Sequence, residues 1–251
     1  MEIKGKTAFV TGGSGDIGSA IARALSKAGV DVAISYIGNS EGANRTVETI
    51  KANGRNGFSV QLDQRDPASI EASVQAVMKG FERLDILVNN AGWNIGIPFA
   101  DLDALTADIW DRVLETNLRG PYLLSRAFAK HLRAHGAGRI VNIASVGGLS
   151  PGSSSIAYSA SKAGLIHLTR CLAVALAPEV TVNCIAPGLV EGTRMALRLP
   201  EAVAQYARAQ AVLGRVGSAE DIAAQVVVFC ESETITGQLM VVDGGMPASM
   251  H

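Results

Sequence analysis

The chain has 251 residues, of which 48% are hydrophobic and 18% are charged, so it can bury a large core beneath a lightly charged surface. Its formal net charge is −1 and it contains no block of like charges, which argues against a nucleic-acid binder or a protein that lies on a membrane surface. No apolar run in the sequence approaches the ~20 residues that a membrane span requires.

The cysteines and histidines give little sign of redox or metal chemistry. Cys171, Cys184 and Cys230 lie in apolar stretches without a CxxC pair, which predicts buried free thiols in a reducing compartment. His131 and His135 are four apart on a predicted helix, but no third ligand accompanies them, so we predict no metal site. Because the first residues enter a predicted strand directly, we expect no signal peptide and a cytoplasmic protein.

Apolar, β-rich runs alternate with helical patterns along the chain. Strands are predicted at 7–10, 31–35, 57–61, 86–88, 140–143, 181–184 and 239–242. Helices are predicted at 18–28, 43–52, 68–81, 107–135, 157–177 and 219–231. Strands that are apolar on both faces and joined through helices indicate a parallel sheet covered on each side. We therefore predict an α/β fold in one domain over 1–251, a doubly wound sheet of about seven strands that binds ligands beyond the carboxyl ends of its strands.

A glycine-rich turn follows the first predicted strand. It reads Thr11-Gly12-Gly13-Ser14-Gly15-Asp16-Ile17-Gly18 and leads into an apolar helix. Glycines there would let the backbone approach a pyrophosphate, and the helix N-terminus would supply N–H groups and the positive end of its dipole. Many βα turns use glycine, so the cluster alone is a weak signal, but its place in the first βα unit favours a dinucleotide site.

Tyr158 and Lys162 lie four positions apart on a predicted helix and therefore share one face. At roughly 4.5 Å and an effective dielectric of ~20, the Lys162 ammonium would favour the Tyr158 phenolate by about 3.7 kcal/mol and lower its pKa by about three. Such a phenol could exchange a proton near neutral pH. From spacing alone, the alternative is a surface tyrosine and lysine on an amphipathic helix.

Taken together, these motifs resemble those of the short-chain dehydrogenase/reductase family, in its branch of about this length. The likeness covers essentially the whole chain, and it is most similar to 3-oxoacyl-acyl-carrier-protein reductases and related ketone or alcohol oxidoreductases. The motifs that carry it are the glycine turn, Asn89-Asn90-Ala91-Gly92, Asn117, Ser145, the Tyr158/Lys162 pair, Pro187-Gly188 and the segments 235–238 and 242–245. The resemblance implies a Rossmann-type fold and a homotetramer, with residues 165–177 and the C-terminal strand as candidate interfaces.

The resemblance also implies the catalytic roles. Tyr158 would be the general acid/base, Ser145 would donate a hydrogen bond to the substrate oxygen, and Lys162 would lower the pKa of Tyr158 and bind the nicotinamide ribose. Ser145 ends the fifth predicted strand, thirteen positions before Tyr158, a separation that the family shares. Asn117 would hold a water behind Lys162. It falls within the predicted helix 107–135, where asparagine is a poor helix former, and a merely solvated side chain is the alternative.

The same likeness assigns a cofactor site, with Asp63 and Gln64 beside the adenine. The residues so assigned are Gly12, Ser14, Gly15, Asp16, Ile17, Gly18, Ser35, Tyr36, Asp63, Gln64, Asn90, Ala91, Gly92, Tyr158, Lys162, Pro187, Gly188, Val190 and Thr193. For Asn90 to Gly92, a simple turn at the end of a strand is the alternative.

Two positions in this set depart from the family pattern. The family has glycine where this chain has Asp16, which we interpret as a cap of the following helix, the alternative being weaker phosphate binding through like-charge repulsion. Relatives place a threonine five positions after the proline of Pro-Gly, whereas Thr193 lies six after Pro187, with Gly192 inserted.

The end of the second predicted strand bears on the choice of cofactor. It reads Ser35-Tyr36-Ile37 and lacks the carboxylate that accepts a hydrogen bond from the ribose 2′-hydroxyl of NAD. No Arg or Lys stands at the neighbouring positions, but Ser35, Asn39 and Ser40 could donate to a 2′-phosphate. We therefore favour NADP(H) slightly over NAD(H).

The substrate site is implied by family position alone. The residues implicated are Trp93, Asn94, Gly147, Leu149 and Met195, beneath an apolar lid formed by residues 189–213. Reductases of acyl-carrier-protein substrates often carry Leu-Ala-Arg-Glu after the active lysine, whereas residues 172–175 here read Leu-Ala-Val-Ala. We predict a small, fairly apolar ketone or secondary alcohol as substrate. A 3-oxoacyl-acyl-carrier-protein or acyl-CoA reductase and a non-catalytic dinucleotide-sensing protein are the alternatives.

Overall fold

The computed structural model describes residues 2–250, so Met1 and His251, which the predicted domain includes, lie outside the described residues. The strands are β1 Thr7–Val10, β2 Asp31–Tyr36, β3 Gly57–Gln61, β4 Ile86–Asn89, β5 Gly138–Ile143, β6 Val180–Pro187 and β7 Leu239–Val242. They pair in parallel in the order β3-β2-β1-β4-β5-β6-β7. The predicted seven-stranded doubly wound sheet is confirmed. The strand order reverses between β1 and β4, and their carboxyl ends therefore border the crevice in which such sheets bind ligands.

Helices cover both faces of this sheet. They are α1 Asp16–Lys27, α2 Ser40–Ala52, α3 Pro67–Phe81, α4 Ala107–Leu114, α5 Gly120–Arg133, α6 Ile156–Leu176, α7 Glu201–Gln210 and α8 Ala219–Glu231. Successive strand residues point to opposite faces, so Val10 packs with the core beneath α1 and α8, whereas Phe9 packs with the core beneath α3, α5 and α6. The rings of Phe9 and Phe128 lie 5.5 Å apart in that second core. The predicted burial of both sheet faces is therefore confirmed.

The single helix predicted at 107–135 is wrong in one respect, because it is interrupted. After α4 the chain forms a π-helical turn over Glu115–Arg119 before α5 begins, and α5 ends at Arg133, so that His135 lies beyond it. Pro121 provides a physical reason for the interruption: it has no N–H to donate to the carbonyl of Asn117, four residues earlier, where a regular α-helix would need it.

The cysteine prediction is partly wrong. All three thiols are free and Cys184 and Cys230 are buried, but Cys171 is exposed on α6. Over residues 2–250, no cluster of three or more His, Cys, Asp or Glu side chains could hold a metal ion. No helix in that part of the chain is both long enough and apolar enough to cross a membrane.

Candidate active site

A cavity of about 570 Å³ lies beyond the carboxyl ends of β1, β4 and β5. Every residue assigned to the cofactor site lines it, together with Ser145 and the substrate-site residues Trp93, Asn94 and Met195. The structure does not bring Gly147 and Leu149 to this cavity, and Asn117 lies behind its wall. Residues that are far apart in the sequence are thus brought together at the edge of the sheet where ligands were expected.

The glycine turn is shaped by close backbone packing. Gly12 has a φ of +66°, and a Cβ at Gly18 would overlap the carbonyl of Gly12, so the turn tolerates no side chain at these positions. The hydroxyl of Ser35 accepts a 3.0 Å hydrogen bond from the Gly12 N–H and ties the turn to the end of β2. The first turn of α1 therefore presents its backbone N–H groups to the cavity, as a phosphate site requires.

Asp16 does not cap α1, so that interpretation is wrong. The N-cap position belongs to Gly15, and Asp16 is the first helical residue, with no capping hydrogen bond from its side chain. Its carboxylate instead accepts a 2.8 Å hydrogen bond from the backbone N–H of Arg194. The Arg194 Nε lies 3.6 Å from the same Oδ2 oxygen.

Tyr158 and Lys162 are buried in the first turns of α6. Ser155 caps this helix by accepting a 3.2 Å hydrogen bond from the Tyr158 N–H. Tyr158 is 8% exposed and Lys162 is 4% exposed, so the surface alternative for this pair is wrong. The Lys162 Nζ lies 5.7 Å from the centre of the Tyr158 ring and donates a 2.9 Å hydrogen bond to the carbonyl of Ile143 at the end of β5.

Burial controls the proton affinity of both side chains. Desolvation raises the pKa of Tyr158 above its ordinary value, and a hydrogen bond with the Ser145 side chain partly opposes this. Desolvation also lowers the pKa of Lys162 to about 8. The pKa of Tyr158 is therefore raised in this arrangement and not lowered, as the spacing of Tyr158 and Lys162 predicted, because desolvation outweighs the hydrogen bond with Ser145.

Ser145 lies just beyond the carboxyl end of β5, before a short 3₁₀ helix over Val146–Gly148. Its Oγ accepts a 3.1 Å hydrogen bond from the Gly147 N–H, which fixes the side chain and leaves the hydroxyl proton available to an acceptor in the cavity. Gly147 therefore holds the Ser145 side chain in place and does not line the cavity.

Asn117 is buried, so the alternative of a solvated side chain is wrong. Its Oδ1 accepts from the Trp93 N–H at 2.8 Å, and its Nδ2 donates to the Trp93 carbonyl at 2.9 Å and to the Ser161 hydroxyl at 3.1 Å. The amide group is therefore occupied in holding the segment after Gly92 against α6.

The three side chains expected to donate to a 2′-phosphate differ in their surroundings. Ser35 is buried against Gly12, and the Asn39 amide donates a 3.0 Å hydrogen bond to the Ser14 carbonyl while its oxygen caps α2. Ser40 is exposed and does not line the cavity. Ser35 and Asn39 line the cavity, and the Ser35 hydroxyl, which accepts from Gly12, keeps its own proton to donate. Donation by these two side chains to a 2′-phosphate stays a prediction, whereas Ser40 is not brought to the cavity.

Sequence reasoning missed three arginines that line the cavity: Arg65, Arg112 and Arg194. Arg65 forms a two-point ion pair with Asp63 at 3.0 and 2.6 Å, and this hydrogen bonding lowers the pKa of Asp63. The guanidinium of Arg112 lies 4.1 Å above the Trp93 ring. Arg65 directly follows the assigned residue Gln64, and Arg194 directly follows Thr193, so their positions beside assigned residues were a signal available in the sequence.

The segment 189–213 forms one wall of the cavity. Thr193 is buried, donates a 2.8 Å hydrogen bond from its hydroxyl to the Val190 carbonyl and accepts one from the Ala196 N–H. Gly192 has a φ of +75°, and with this turn the extra residue is absorbed while Thr193 still lines the cavity. The Met195 sulfur accepts a 3.1 Å hydrogen bond from the Asn94 amide across the opening.

Comparison with known proteins agrees with this geometry. Residues 13–247 match a family model described as enoyl-(acyl carrier protein) reductase. The chain is 38% identical to the 3-oxoacyl-acyl-carrier-protein reductase of Pseudomonas aeruginosa, covering 98% of this chain and 99% of that protein. A short-chain dehydrogenase from Burkholderia cenocepacia, solved in complex with NADP, is 39% identical with a TM-score of 0.89, over 98% of this chain and 100% of the other.

A more distant structure has the same fold and another cofactor. A xylitol dehydrogenase solved with NAD⁺ is 27% identical with a TM-score of 0.92, over 98% of this chain and 100% of the other. The family match and the curated relative extend over nearly the whole chain and include the cavity described above. The chain belongs to the short-chain dehydrogenase/reductase family.

Proposed function

We propose that this protein reduces a small, fairly apolar ketone to a secondary alcohol, or catalyses the reverse oxidation, with a nicotinamide dinucleotide as hydride carrier. The observation that carries the proposal is the joint burial of Tyr158, Ser145 and Lys162 in a cavity that also contains a glycine turn at a helix N-terminus. A dinucleotide-sensing protein would have no use for a desolvated phenol beside a serine hydroxyl.

The residues present fit a nicotinamide dinucleotide. The α1 N-terminus and the bare glycine turn suit its diphosphate, and the two-point Asp63–Arg65 pair forms a polar wall for its adenine end. When bound, the nicotinamide supplies or accepts the hydride. Gly92, Lys162 and Thr193 line the other end of the cavity and would hold its ribose and carboxamide.

The proton is handled by the protein. Tyr158 gives a proton to the substrate oxygen during reduction and takes it back during oxidation. Ser145 donates a hydrogen bond to the same oxygen as charge develops there. The Lys162 ammonium, held by the Ile143 carbonyl, supplies positive charge behind the phenol, and with a pKa of about 8 it also exchanges protons near neutral pH. Asn117 acts through the backbone, by positioning the Trp93 segment.

For the cofactor, we propose NADP(H) in preference to NAD(H). The support is the absence of a carboxylate after β2, where Ile37 and Gly38 line the cavity instead. A solved relative binds NADP and another binds NAD⁺, so the family accommodates both.

A second candidate is the reduction of a 3-oxoacyl thioester, because a curated relative at 38% identity bears that activity in its name. The surface after the active lysine gives it little support. Val174, where such reductases often carry arginine, is 82% exposed, and Arg133 is occupied by the Ala175 carbonyl at 2.6 Å and by Glu179. Turnover with small ketones and with 3-oxoacyl thioesters, followed as oxidation of NADPH and of NADH, tests both candidates. Turnover confined to the thioesters would make 3-oxoacyl thioester reduction the preferred function over reduction of small ketones.

We also propose a homotetramer in the cytoplasm. An apolar groove between the π-helical turn and α6, lined by Leu118, Tyr122, Leu168 and the exposed Cys171, is continuous with the 165–177 surface expected at an interface. The half-exposed β7 is the second candidate surface. Light scattering on the purified protein measures the oligomeric state directly.

A further inference from the structure

The pair Asp16 and Arg194 is a feature for which the proposed mechanism has no use. Asp16 opens α1 at the phosphate turn, and Arg194 belongs to the segment 189–213 that walls the cavity. The two residues are 178 positions apart in sequence. They make a 2.8 Å backbone-to-carboxylate hydrogen bond and a 3.6 Å contact between the Arg194 Nε and the same oxygen.

A carboxylate at this place conflicts with phosphate binding. Asp16 lines the cavity in the first turn of α1, where the backbone N–H groups would receive a diphosphate. Two negative groups at one helix end repel each other. The partial positive charge of the helix N-terminus is then shared between them and stabilises each one less. A chain that binds a dinucleotide here needs a compensating positive charge.

The guanidinium of Arg194 is in the right position to supply it. A Cβ built on Gly15 would lie 3.7 Å from its Nη2, so the group lies directly against the glycine turn. Gly15 leaves this space open, and a larger residue there would meet the arginine. Arginine presents several N–H donors in a planar fork, so it can serve a carboxylate and a phosphate oxygen together.

Resting on the proposed function, we propose that Asp16 and Arg194 form a clasp between the phosphate turn and the 189–213 segment. Arg194 neutralises Asp16 and thereby makes the turn receptive to the diphosphate of the cofactor. The same contact makes diphosphate binding depend on closure of the segment, because the guanidinium that pairs with Asp16 comes from that segment. Arg194 is thus a positioning and phosphate-compensating residue.

The test is a binding measurement on the full chain by isothermal titration with NADPH, ADP and adenosine. Arg194→Gln should raise the dissociation constants of NADPH and ADP about tenfold to a hundredfold, the range of a lost charge-assisted hydrogen bond, and leave that of adenosine unchanged. Asp16→Asn combined with Arg194→Gln should recover most of the loss, because the carboxylate that needed compensation is gone. Arg194→Lys keeps the charge and should bind closer to wild type.

Arg198→Gln is the matched control, since Arg198 lies in the same segment, is exposed and does not line the cavity. Hydrogen exchange over residues 193–210 should slow on NADPH binding in the wild type and in the control, but much less in Arg194→Gln. Binding by Arg194→Gln within twofold of the control, or no recovery in the double variant, would overturn the clasp alone. Absence of dinucleotide binding by the wild type would overturn the proposed function and the clasp together.

Discussion

Lys162 donates a 2.9 Å hydrogen bond from its Nζ to the main-chain carbonyl of Ile143, which joins α6 to the end of strand β5. This is the one hydrogen bond identified for the ammonium group within residues 2–250, and the side chain is only 4% exposed. A charged lysine in such a place is costly, and its pKa falls to about 8. The protein therefore carries a destabilising group where its chemistry needs one.

That cost gives an expectation for stability and pH. Because the pKa of Lys162 is lowered from 10.5 to about 8 on folding, the unfolded chain binds its proton more tightly, and the penalty is complete below pH 8. The penalty disappears as pH rises to about 10.5. At its full size it lowers the free energy of unfolding by about 3 kcal/mol. Lys162→Met lacks this penalty, so its free energy of unfolding relative to wild type should be highest below pH 8. That difference should fall by about 3 kcal/mol as pH rises from 8 to about 10.5.

Chemical denaturation of both proteins at several pH values measures this difference. The orphaned Ile143 carbonyl in the variant costs about 1–3 kcal/mol, but this cost is independent of pH and shifts the whole curve. A difference in stability that stays flat between neutral and alkaline pH would contradict the lowered pKa. The variant should also lose turnover at every pH.

Ser145 should affect catalysis more than binding. Ser145→Ala removes the donor to the substrate oxygen, and kcat should fall by about 10²–10³ while the KM of the cofactor changes little. Ser145→Thr retains a hydroxyl and is the matched control, expected to keep more of the activity than alanine. Steady-state kinetics at saturating cofactor distinguish the two, and an alanine variant as active as the threonine variant would remove Ser145 from the mechanism.

Asn117 should act through the segment that it holds. Asn117→Ala breaks the hydrogen bonds to both backbone groups of Trp93 and to Ser161, and the free energy of unfolding should fall by about 2–3 kcal/mol. Ser161→Ala removes only one of these partners and should cost about 1 kcal/mol. Tryptophan fluorescence measured in a Trp110→Phe background reports Trp93 alone, and the surroundings of Trp93 should loosen in Asn117→Ala. An unchanged emission spectrum together with unchanged stability would contradict the assigned role.

The cofactor preference should respond to charge at Ile37, which is exposed and lines the cavity directly after β2. Ile37→Asp would place a carboxylate where a 2′-phosphate is expected, so the ratio of kcat/KM for NADPH to that for NADH should fall at least tenfold. Ile37→Asn is the control, because asparagine has nearly the same shape as aspartate but carries no charge. An equal ratio in both variants would show that the 2′-phosphate does not lie beside this residue.

The architecture was predictable from the sequence, and the residues assigned to the cofactor site line one cavity. Alternating apolar strands and helices are sufficient to indicate the sheet, and the motifs around Gly12, Ser145 and Tyr158 identify side chains that the fold then brings together. The interrupted helix was not predicted, although Pro121 was visible in the sequence as a residue that cannot donate to Asn117.

The features that could not be predicted from the sequence depend on contacts between residues distant in sequence. The pKa of Tyr158 is set first by desolvation and then by the opposing hydrogen bond with Ser145, and burial of this kind cannot be read from the spacing of two residues on a helix. Aspartate is a residue type common at helix N-caps, but the Asp16 carboxylate instead accepts a hydrogen bond from the backbone N–H of Arg194, which is distant in sequence. Arg65 and Arg194 line the cavity because the loops that carry them fold back over it, and the path of a loop is not encoded in a local sequence pattern.

The most direct test of the account compares wild-type protein with Tyr158→Phe, following oxidation of NADPH and NADH against a panel of small ketones. Phenylalanine keeps the ring and its packing and removes only the proton donor, so dinucleotide binding should persist while kcat falls by about 10²–10⁴. Arg198→Gln, outside the cavity, should retain wild-type turnover. Reduction of a ketone by wild type and its loss in Tyr158→Phe with cofactor still bound is the expected result. Undiminished turnover in Tyr158→Phe would contradict the central claim that this phenol transfers the proton.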